Sequence, residues 1–164
     1  MNLLSKTEVN SLYNQTAIVI FDLEGVIICS GEGRCKNFGV CNYERFDKLC
    51  NVIQEHGKKV AIITGAKLTN QQECLLKVDY LIQSSLDKVG KAEKLLKEIG
   101  IDFSQTAFIA DGLLDIPLLE KVALPITVKT ARREVKRFAK YICKEECALY
   151  ELTKIFSGDI NENN

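Results

Sequence analysis

Two carboxylates follow a short apolar run near the start of the chain. The run covers residues 17–21, and Asp22, Glu24 and Gly25 come after it. Five apolar residues rich in Ile and Val are typical of a strand that is buried on both faces of a sheet. Because ligands in open α/β sheets bind outside the carboxyl ends of strands, Asp22 is expected to lie where chemistry takes place. Gly25 would let the chain turn sharply there.

Further polar side chains follow other predicted strands. They are Thr64 with Gly65, residues 84–88 including Lys88, and Asp111 with Asp115. In a doubly wound sheet these strand ends meet in one crevice. Clustered carboxylates repel one another, so a hard cation such as Mg²⁺ is expected between them. A hydroxyl and an ammonium suit phosphoryl oxygens, and an aspartate held beside Mg²⁺ can attack phosphorus and form an aspartyl phosphate.

The elements that must position these residues alternate along the chain. The hydrophobic pattern predicts strands at 16–21, 59–63, 80–82, 106–110, 124–128 and 141–143. It predicts helices at 5–14, 43–56, 67–77, 88–99, 113–122, 131–139 and 145–156. Such alternation is typical of an α/β fold, a Rossmann-like three-layer sandwich with a central parallel sheet.

Local signals add detail to this outline. Asn42 is predicted to cap the second helix and Gly57 to end it. Two glycines within 30–34 predict the tip of a hairpin that spans 26–40. We expect a single domain over 1–156, followed by a disordered tail at 157–164.

Composition excludes several classes of partner. The chain has 164 residues, with 22 acidic and 22 basic side chains and a net charge of zero. This balance provides no electrostatic field for nucleic acid or a membrane surface. No apolar run approaches the ~20 residues that span a bilayer, and the first ten residues lack a secretory signal. A cytoplasmic location is therefore expected.

The cysteines leave a second chemistry open. There are seven, and the only histidine is His56. Without an export signal, reduced thiols that pack as small hydrophobic side chains are the default interpretation. Cys29, Cys35 and Cys41 are six residues apart and Cys143 and Cys147 four apart. Because these are not the usual spacings of zinc ligands, a zinc or redox site is kept only as an alternative.

Taken together, the strand-end motifs resemble those of the haloacid dehalogenase superfamily of phosphotransferases. The four matching motifs are Asp22-Leu23-Glu24-Gly25, Thr64, Lys88 and the acidic segment from Asp111 to Asp115. Within the superfamily, residues 61–65 and 110–122 are most similar to the capless family of 3-deoxy-D-manno-octulosonate 8-phosphate phosphatases. They also resemble the C-terminal domain of some sialic acid cytidylyltransferases. The resemblance covers roughly residues 16–156.

This resemblance implies a Mg²⁺-dependent phosphatase that acts on a small phosphorylated sugar or sugar acid. Asp22 would be the nucleophile and a metal ligand, together with Asp111 and the backbone carbonyl of Glu24. The Glu24 side chain would serve as general acid and then as general base.

The remaining motif residues would handle the phosphoryl group. Thr64, Gly65 and Lys88 would bind it, and Asp115 would orient Lys88 or the surroundings of the metal. The family also implies a homotetramer in which a neighbouring subunit screens each active site.

Some positions depart from the family pattern. Glu24 replaces an aspartate, as it does in the D-x-E-G motif of enolase-phosphatase, and Gly112 replaces a second aspartate. Segments 40–43 and 144–151 lack the family's arginines. The alternative function is therefore a catalytically degenerate domain of the same fold that serves as a binding or assembly module.

Overall fold

A single parallel sheet forms the centre of the protein. The computed structural model describes residues 2–28 and 40–160. Its six strands are β1 (Ile18–Phe21), β2 (Lys59–Ile63), β3 (Tyr80–Ile82), β4 (Thr106–Ile109), β5 (Leu124–Thr127) and β6 (Tyr141–Ile142). Their order in the sheet is β3-β2-β1-β4-β5-β6, and every neighbouring pair is parallel. The predicted α/β class is confirmed.

Helices connect the strands. They are α1 (Lys6–Asn14), α2 (Val40–Glu55), α3 (Asn70–Leu75), α4 (Lys88–Ile99), α5 (Ile116–Lys121), α6 (Arg133–Lys136) and α7 (Ala148–Ser157). Short 3-10 turns cover Phe103–Gln105 and Leu113–Asp115. None of the helices in the described part of the chain has the length and apolar character needed to cross a membrane.

The strand order creates a crevice at one edge of the sheet. β1 lies between β2 and β4, and the two halves of the sheet wind outward from it in opposite directions. All four residues of β1 are buried, which agrees with the apolar run in the sequence. Beyond the strand, the Asp22 backbone N–H donates to the Ile109 carbonyl at 2.9 Å. This bond fixes Asp22 at the carboxyl edge, where a doubly wound sheet binds its ligands.

Helix α4 brings Lys88 to the same edge. The Asp87 side chain accepts a hydrogen bond from the Gly90 N–H at 3.0 Å and caps the helix. The helix ends at Gly100, whose φ of 73° is left-handed. Both ends agree with the prediction, because an N-cap carboxylate and a terminal glycine are strong local signals. Lys88 is the first residue of the helix.

Several predicted boundaries were wrong. Helix α2 begins at Val40, so Asn42 lies inside the helix and is not its N-cap. The predicted helix at 67–77 is limited to α3, because Thr69 and Gln72 form a capping box that sets its start. The predicted helix at 131–139 shortens to the four residues of α6. Gly57 ends α2 with a φ of 76°, as predicted.

Two predictions fall on parts of the chain beyond this description. Most of the predicted hairpin, residues 29–39, and the last four residues of the predicted tail, 161–164, lie outside the described residues. Cys29 and Cys35 belong to the first of these segments, and the side chain of Cys41 likewise lies outside what the structure describes.

A buried carboxylate far from the sheet edge has a structural role. Glu151 of α7 accepts hydrogen bonds from the Tyr141 hydroxyl at 2.6 Å and from the backbone N–H groups of Lys144 and Glu145 at 2.8 and 2.7 Å. These donors compensate the cost of burying the carboxylate. Burial raises the pKa of the neighbouring Cys143 thiol. That cysteine is therefore held as a neutral thiol, in agreement with its predicted role as a small hydrophobic side chain.

Candidate active site

One cleft at the carboxyl edge of the sheet collects every side chain predicted to belong to the site. Its volume is about 630 Å³. The predicted residues that line it are Asp22, Glu24, Thr64, Gly65, Lys88, Asp111 and Asp115. They come from the ends of β1, β2 and β4 and from the start of α4, and the doubly wound topology brings these elements to the same edge of the sheet.

Lys88 links two of these carboxylates. Its ammonium donates to Asp22 Oδ1 at 2.7 Å and to Asp115 Oδ1 at 2.5 Å. All three side chains are at most 9% exposed. Burial alone would lower the pKa of Lys88, but the charges of Asp22 and Asp115 outweigh this and raise it. Lys88 is therefore a fixed positive charge inside the cleft.

Asp115 is held at both of its oxygens. Oδ1 accepts from Lys88, and Oδ2 accepts from the Gly112 backbone N–H at 3.0 Å. A β-carbon added at Gly112 would lie 3.1 Å from Asp115 Oδ2, a tight contact. Gly112, which replaces the second aspartate of the family pattern, therefore leaves room for the carboxylate of Asp115 to accept a hydrogen bond from the backbone.

Three carboxylates form a candidate metal centre. Oxygen atoms of Asp22, Asp111 and Asp115 all lie within 4.8 Å of one another. Burial, followed by the negative charge of Asp115, raises the pKa of Asp22 to about 7 against the opposing charge of Lys88. The same two causes raise the pKa of Asp111 to about 6. One ammonium thus leaves the carboxylates incompletely neutralised, and an all-oxygen donor set of this kind fits Mg²⁺.

The loop after β1 brings its backbone against this centre. Gly25 has a φ of 81°, and a β-carbon added there would lie 1.8 Å from Asp111 Oδ2. The Gly25 N–H donates to the Ile28 carbonyl at 2.6 Å, and the N–H groups of Ile27 and Ile28 donate to the Leu23 carbonyl. Only glycine fits this position, for both conformation and space.

Thr64 presents a hydroxyl at the end of β2. The side chain is 1% exposed, and its Oγ1 accepts from the Ala66 N–H at 3.1 Å. Its backbone is fixed by a bond from the Thr64 N–H to the Ile82 carbonyl and one from the Ser85 N–H to the Thr64 carbonyl. Since Oγ1 acts only as an acceptor in these contacts, the hydroxyl hydrogen is free to meet an anion.

The cleft also contains residues to which no sequence motif assigned a role, although residues 85 and 86 belong to the segment 84–88 that was expected at the crevice. The additional lining residues are Ala66, Ser85, Leu86, Gly112, Leu113, Leu114, Thr130, Ala131 and Arg132. Three of them, Leu86, Leu113 and Leu114, are large apolar side chains exposed at the mouth. Thr130, Ala131 and Arg132 follow the end of β5, so the rule applied to the other strands would have pointed to them.

The cysteine alternative receives no support from the described part of the chain. Among residues 2–28 and 43–160, whose side chains the structure describes, the group with metal-ligand geometry is the aspartate cluster, and it includes no cysteine or histidine. Cys50, Cys74, Cys143 and Cys147 are free thiols there.

Comparison with known proteins identifies the class to which this fold and cleft belong. A profile for haloacid dehalogenase-like hydrolases matches residues 35–148, and the chain belongs to this family. The 3-deoxy-D-manno-octulosonate 8-phosphate phosphatase of Escherichia coli strain K12 is 33% identical over 88 residues, which are 52% of this chain and 47% of that protein. The Salmonella typhi protein of the same name is 34% identical over 86 residues, which are 51% of this chain and 46% of that protein. The match thus spans about half the length of these curated relatives.

Solved structures show the same fold over nearly the whole chain. One is the 3-deoxy-D-manno-octulosonate 8-phosphate phosphatase of Moraxella catarrhalis in complex with magnesium, phosphate and KDO. It aligns with a TM-score of 0.75 at 22% identity and covers 92% of this chain and 90% of that one. The cobalt-bound deoxy-D-mannose-octulosonate 8-phosphate phosphatase of Haemophilus influenzae aligns with a TM-score of 0.76 at 20% identity. This alignment covers 90% of this chain and 92% of that one.

Proposed function

We propose that this protein is a Mg²⁺-dependent phosphatase that hydrolyses a small phosphorylated sugar or sugar acid through an aspartyl phosphate on Asp22. The observation that carries the proposal is the meeting of Asp22, Thr64, Lys88 and Asp111 in one cleft. The curated relatives and the structural neighbours, which are named as phosphatases of 3-deoxy-D-manno-octulosonate 8-phosphate, support the substrate class.

The metal would be held by Asp22, Asp111 and the backbone carbonyl of Glu24. Mg²⁺ bound there would neutralise the carboxylates and the charge of the phosphoryl oxygens. Asp115 lies within reach of the same position, but both of its oxygens already accept hydrogen bonds. It is therefore assigned the role of positioning Lys88.

Bond making and breaking fall to two side chains. A carboxylate oxygen of Asp22 attacks phosphorus, and the bond to the leaving oxygen breaks as Glu24 gives that oxygen a proton. Glu24, now a carboxylate, takes a proton from water, which attacks phosphorus and releases inorganic phosphate from Asp22. Glu24 suits this exchange because its side chain is exposed at the cleft and can contact solvent.

The transferring phosphoryl group would be bound by fixed donors. Lys88 supplies a charge whose position is set by two carboxylates, and Thr64 supplies a hydroxyl on a backbone pinned from both sides. The Gly65 backbone lies beside Thr64 in the same cleft. Groups fixed before the substrate arrives stabilise developing charge without reorganisation.

The test is hydrolysis of p-nitrophenyl phosphate and of a panel of sugar phosphates, with Mg²⁺ and with EDTA. We expect Mg²⁺-dependent turnover that Asp22→Asn reduces by at least 10³-fold, since the nucleophile is lost. Asp102→Asn is the matched control, because Asp102 is an exposed helix cap and asparagine caps equally well.

Absence of Mg²⁺-dependent turnover in folded protein would reject the proposal. That result would favour the degenerate binding or assembly module. Analytical ultracentrifugation of the same sample would test the homotetramer that the family resemblance implies.

A further inference from the structure

The turn after β3 contains a serine in an unusual backbone conformation. Ser84 has a φ of 55°, and among the residues that the structure describes it is the one non-glycine with a positive φ. This left-handed region is unfavourable for a residue that has a β-carbon. The side chain of Ser84 is exposed, and its hydroxyl forms no hydrogen bond within the described part of the chain. The conformation is therefore held by the backbone around Ser84 and not by its side chain.

The left-handed residue shifts the hydrogen bonds between the ends of β2 and β3 by one residue. The Thr64 N–H donates to the Ile82 carbonyl, as the register of the two strands requires. If this parallel ladder continued, the Ser84 N–H would donate to the Thr64 carbonyl. Instead the Ser85 N–H donates to that carbonyl at 3.1 Å, and the Ser84 N–H donates to the Ala66 carbonyl at 3.0 Å. Ser84 is thus an extra position in the ladder, as in a β-bulge.

On one side of the turn, these bonds fix Thr64. Its carbonyl accepts from Ser85, and its Oγ1 accepts from the Ala66 N–H at 3.1 Å. Ala66 is itself held, because its carbonyl accepts from Ser84. The turn also packs against the loop after β2, since a β-carbon added at Gly65 would lie 3.7 Å from the Ser85 carbonyl oxygen. The turn therefore restrains both the backbone and the hydroxyl of Thr64.

On the other side of the turn, the extra position sets where α4 begins. The Ser85 hydroxyl donates to the Asp87 carbonyl at 3.3 Å, and the Asp87 side chain caps the helix. Lys88 is the next residue, and its ammonium reaches Asp22 and Asp115. One residue corresponds to about 100° of rotation around a helix. A ladder without the extra position would therefore turn the Lys88 ammonium away from these carboxylates.

We propose that Ser84 is a positioning residue whose left-handed backbone sets Thr64 and Lys88 at the separation that a phosphoryl group requires. Ser84 does not line the cleft, so it acts through these two residues and touches no ligand. The inference rests on the proposed function and deepens it, since it names the residue that holds the two phosphoryl-binding side chains in register. The backbone conformation performs this role, and the Ser84 hydroxyl has no part in it.

Two substitutions that differ in their tolerance of a positive φ test the inference. Ser84→Gly adopts this conformation freely, whereas Ser84→Thr keeps the hydroxyl but adds a β-branch that strongly disfavours it. Calorimetry with inorganic phosphate and Mg²⁺-loaded protein should show affinity weakened about 10- to 100-fold in Ser84→Thr, the range of a charge-assisted hydrogen bond. With p-nitrophenyl phosphate, kcat should fall about 100-fold, the loss that a misplacement of about 1 Å can cause. Ser84→Gly should keep both values within about 3-fold and raise Tm by about 2–4 °C.

Gly57→Thr is the matched control. It places the same side chain in a left-handed position outside the site, where φ is 76° and an added β-carbon meets nothing within 4 Å. It should lower Tm as Ser84→Thr does, with phosphate affinity and kcat unchanged. The Mg²⁺ affinity of Ser84→Thr should not weaken, because Ser84 forms no hydrogen bond with Asp22 or Asp111 in the part of the chain that the structure describes. Weaker phosphate binding with Mg²⁺ binding retained is not the result of a general loss of structure.

Phosphate binding separates this inference from the proposed function. If the wild-type protein shows no turnover, the phosphatase proposal fails, but a selective loss of phosphate affinity in Ser84→Thr still supports the positioning role. Equal affinities in the wild type and Ser84→Thr, equal losses in Ser84→Thr and Gly57→Thr, or no phosphate binding by the wild type would overturn it. If Ser84→Thr does not fold, Ser84→Gly decides the question. A loss of phosphate affinity of 10-fold or more in that variant would show that the hydroxyl is required, against the inference, whereas unchanged affinity with a raised Tm supports it.

Discussion

Lys88 and Asp115 form a buried ion pair with 2.5 Å between Nζ and Oδ1, and this pair fixes the buried cation of the cleft. Asp22 holds the same ammonium from its other side at 2.7 Å. A long lysine side chain would lose much of its preference for one geometry if either carboxylate were absent. The pair therefore links a residue that follows β4 to the group that would bind the phosphoryl oxygens.

We predict that Asp115→Asn lowers kcat by about 10- to 100-fold, the range typical of residues that orient active-site ligands. Asparagine can still accept from the Gly112 N–H but no longer pairs a charge with Lys88. Steady-state kinetics should show the loss mainly in kcat, with KM much less affected. Asp87→Asn is the control, because it also lies beside Lys88 and asparagine preserves the cap of α4. Equal losses in both variants would contradict a positioning role.

Glu24→Gln should separate the two halves of the proposed reaction. p-Nitrophenolate leaves readily without a proton, so attack by Asp22 would continue, whereas hydrolysis of the phosphoenzyme would lose its general base. Rapid mixing should show a burst of one p-nitrophenolate per site, followed by turnover reduced about 10²- to 10⁴-fold. Mass spectrometry after acid quench should find the phosphate on Asp22. A slow reaction with no burst would assign the base to another group.

Two glycines with left-handed backbones, one in the loop after β1 and one outside it, allow a matched comparison of substitutions. Gly25 has a φ of 81° and Gly57 a φ of 76°, but a β-carbon would strike Asp111 at Gly25 and meet nothing within 4 Å at Gly57. Gly57→Ala should cost about 1–2 kcal/mol of stability, the penalty of the left-handed conformation, with unchanged activity. Gly25→Ala should lose the same amount of stability and should also displace Asp111, so that Mg²⁺ binding is lost. Retained Mg²⁺ affinity in folded Gly25→Ala would show that the loop tolerates the shift.

The raised pKa values of the metal-free cleft predict how stability depends on pH. The pKa is about 7 for Asp22 and about 6 for Asp111, whereas an aspartate in the unfolded chain titrates near ~4. Between these values the folded state binds more protons than the unfolded state. The free energy of unfolding of the metal-free protein should therefore fall as pH rises from ~4 to about 7.

Magnesium should reverse this loss only where the carboxyl groups are ionised. At about 100 times its Kd, Mg²⁺ adds ~2.7 kcal/mol of stability, or roughly 5–10 °C in Tm for a chain of this size. We expect this rise at pH 8 and a much smaller one at pH 5.5, because protons compete for Asp22 and Asp111. Thermal unfolding at both pH values measures it. An equal rise at the two pH values would place the metal elsewhere.

The elements that the sequence predicted well are those with unambiguous signals at both ends. β2, β3 and α4 have the predicted bounds, since apolar runs or strong caps delimit each of them. The prediction of Asn42 as an N-cap was wrong, because asparagine is also tolerated inside a helix. No local signal prevents α2 from beginning two residues earlier, at Val40. The short helices α3 and α6 were overestimated, because helical spacing continues past the residues that tertiary contacts allow to be helical.

The site residues that follow strand ends could be predicted from the sequence. Those that reach the cleft through the packing of helices and loops could not be derived from spacing. Asp22, Thr64 and Asp111 each follow an apolar run, which is visible in the sequence. The family resemblance implied that Asp115 orients Lys88, but no spacing rule gives the distance between them, because it depends on how α4 lies against the loop after β4. Arg132 was overlooked because the basic run at 132–137 resembles an ordinary solvated helix face, and only the fold brings its first residue to the cleft.

The distances along the chain between site residues have a consequence for folding. Asp22 and Lys88 are 66 residues apart in sequence, and Lys88 and Asp115 are 27 apart. Contacts that close such long loops form late, because loop entropy must be lost before they contribute. A growing chain that has not reached Asp111 holds the proposed nucleophile without the second aspartate of the candidate metal centre. The proposed phosphoryl transfer would therefore require the chain at least as far as Asp115, and no shorter folding intermediate would carry the activity.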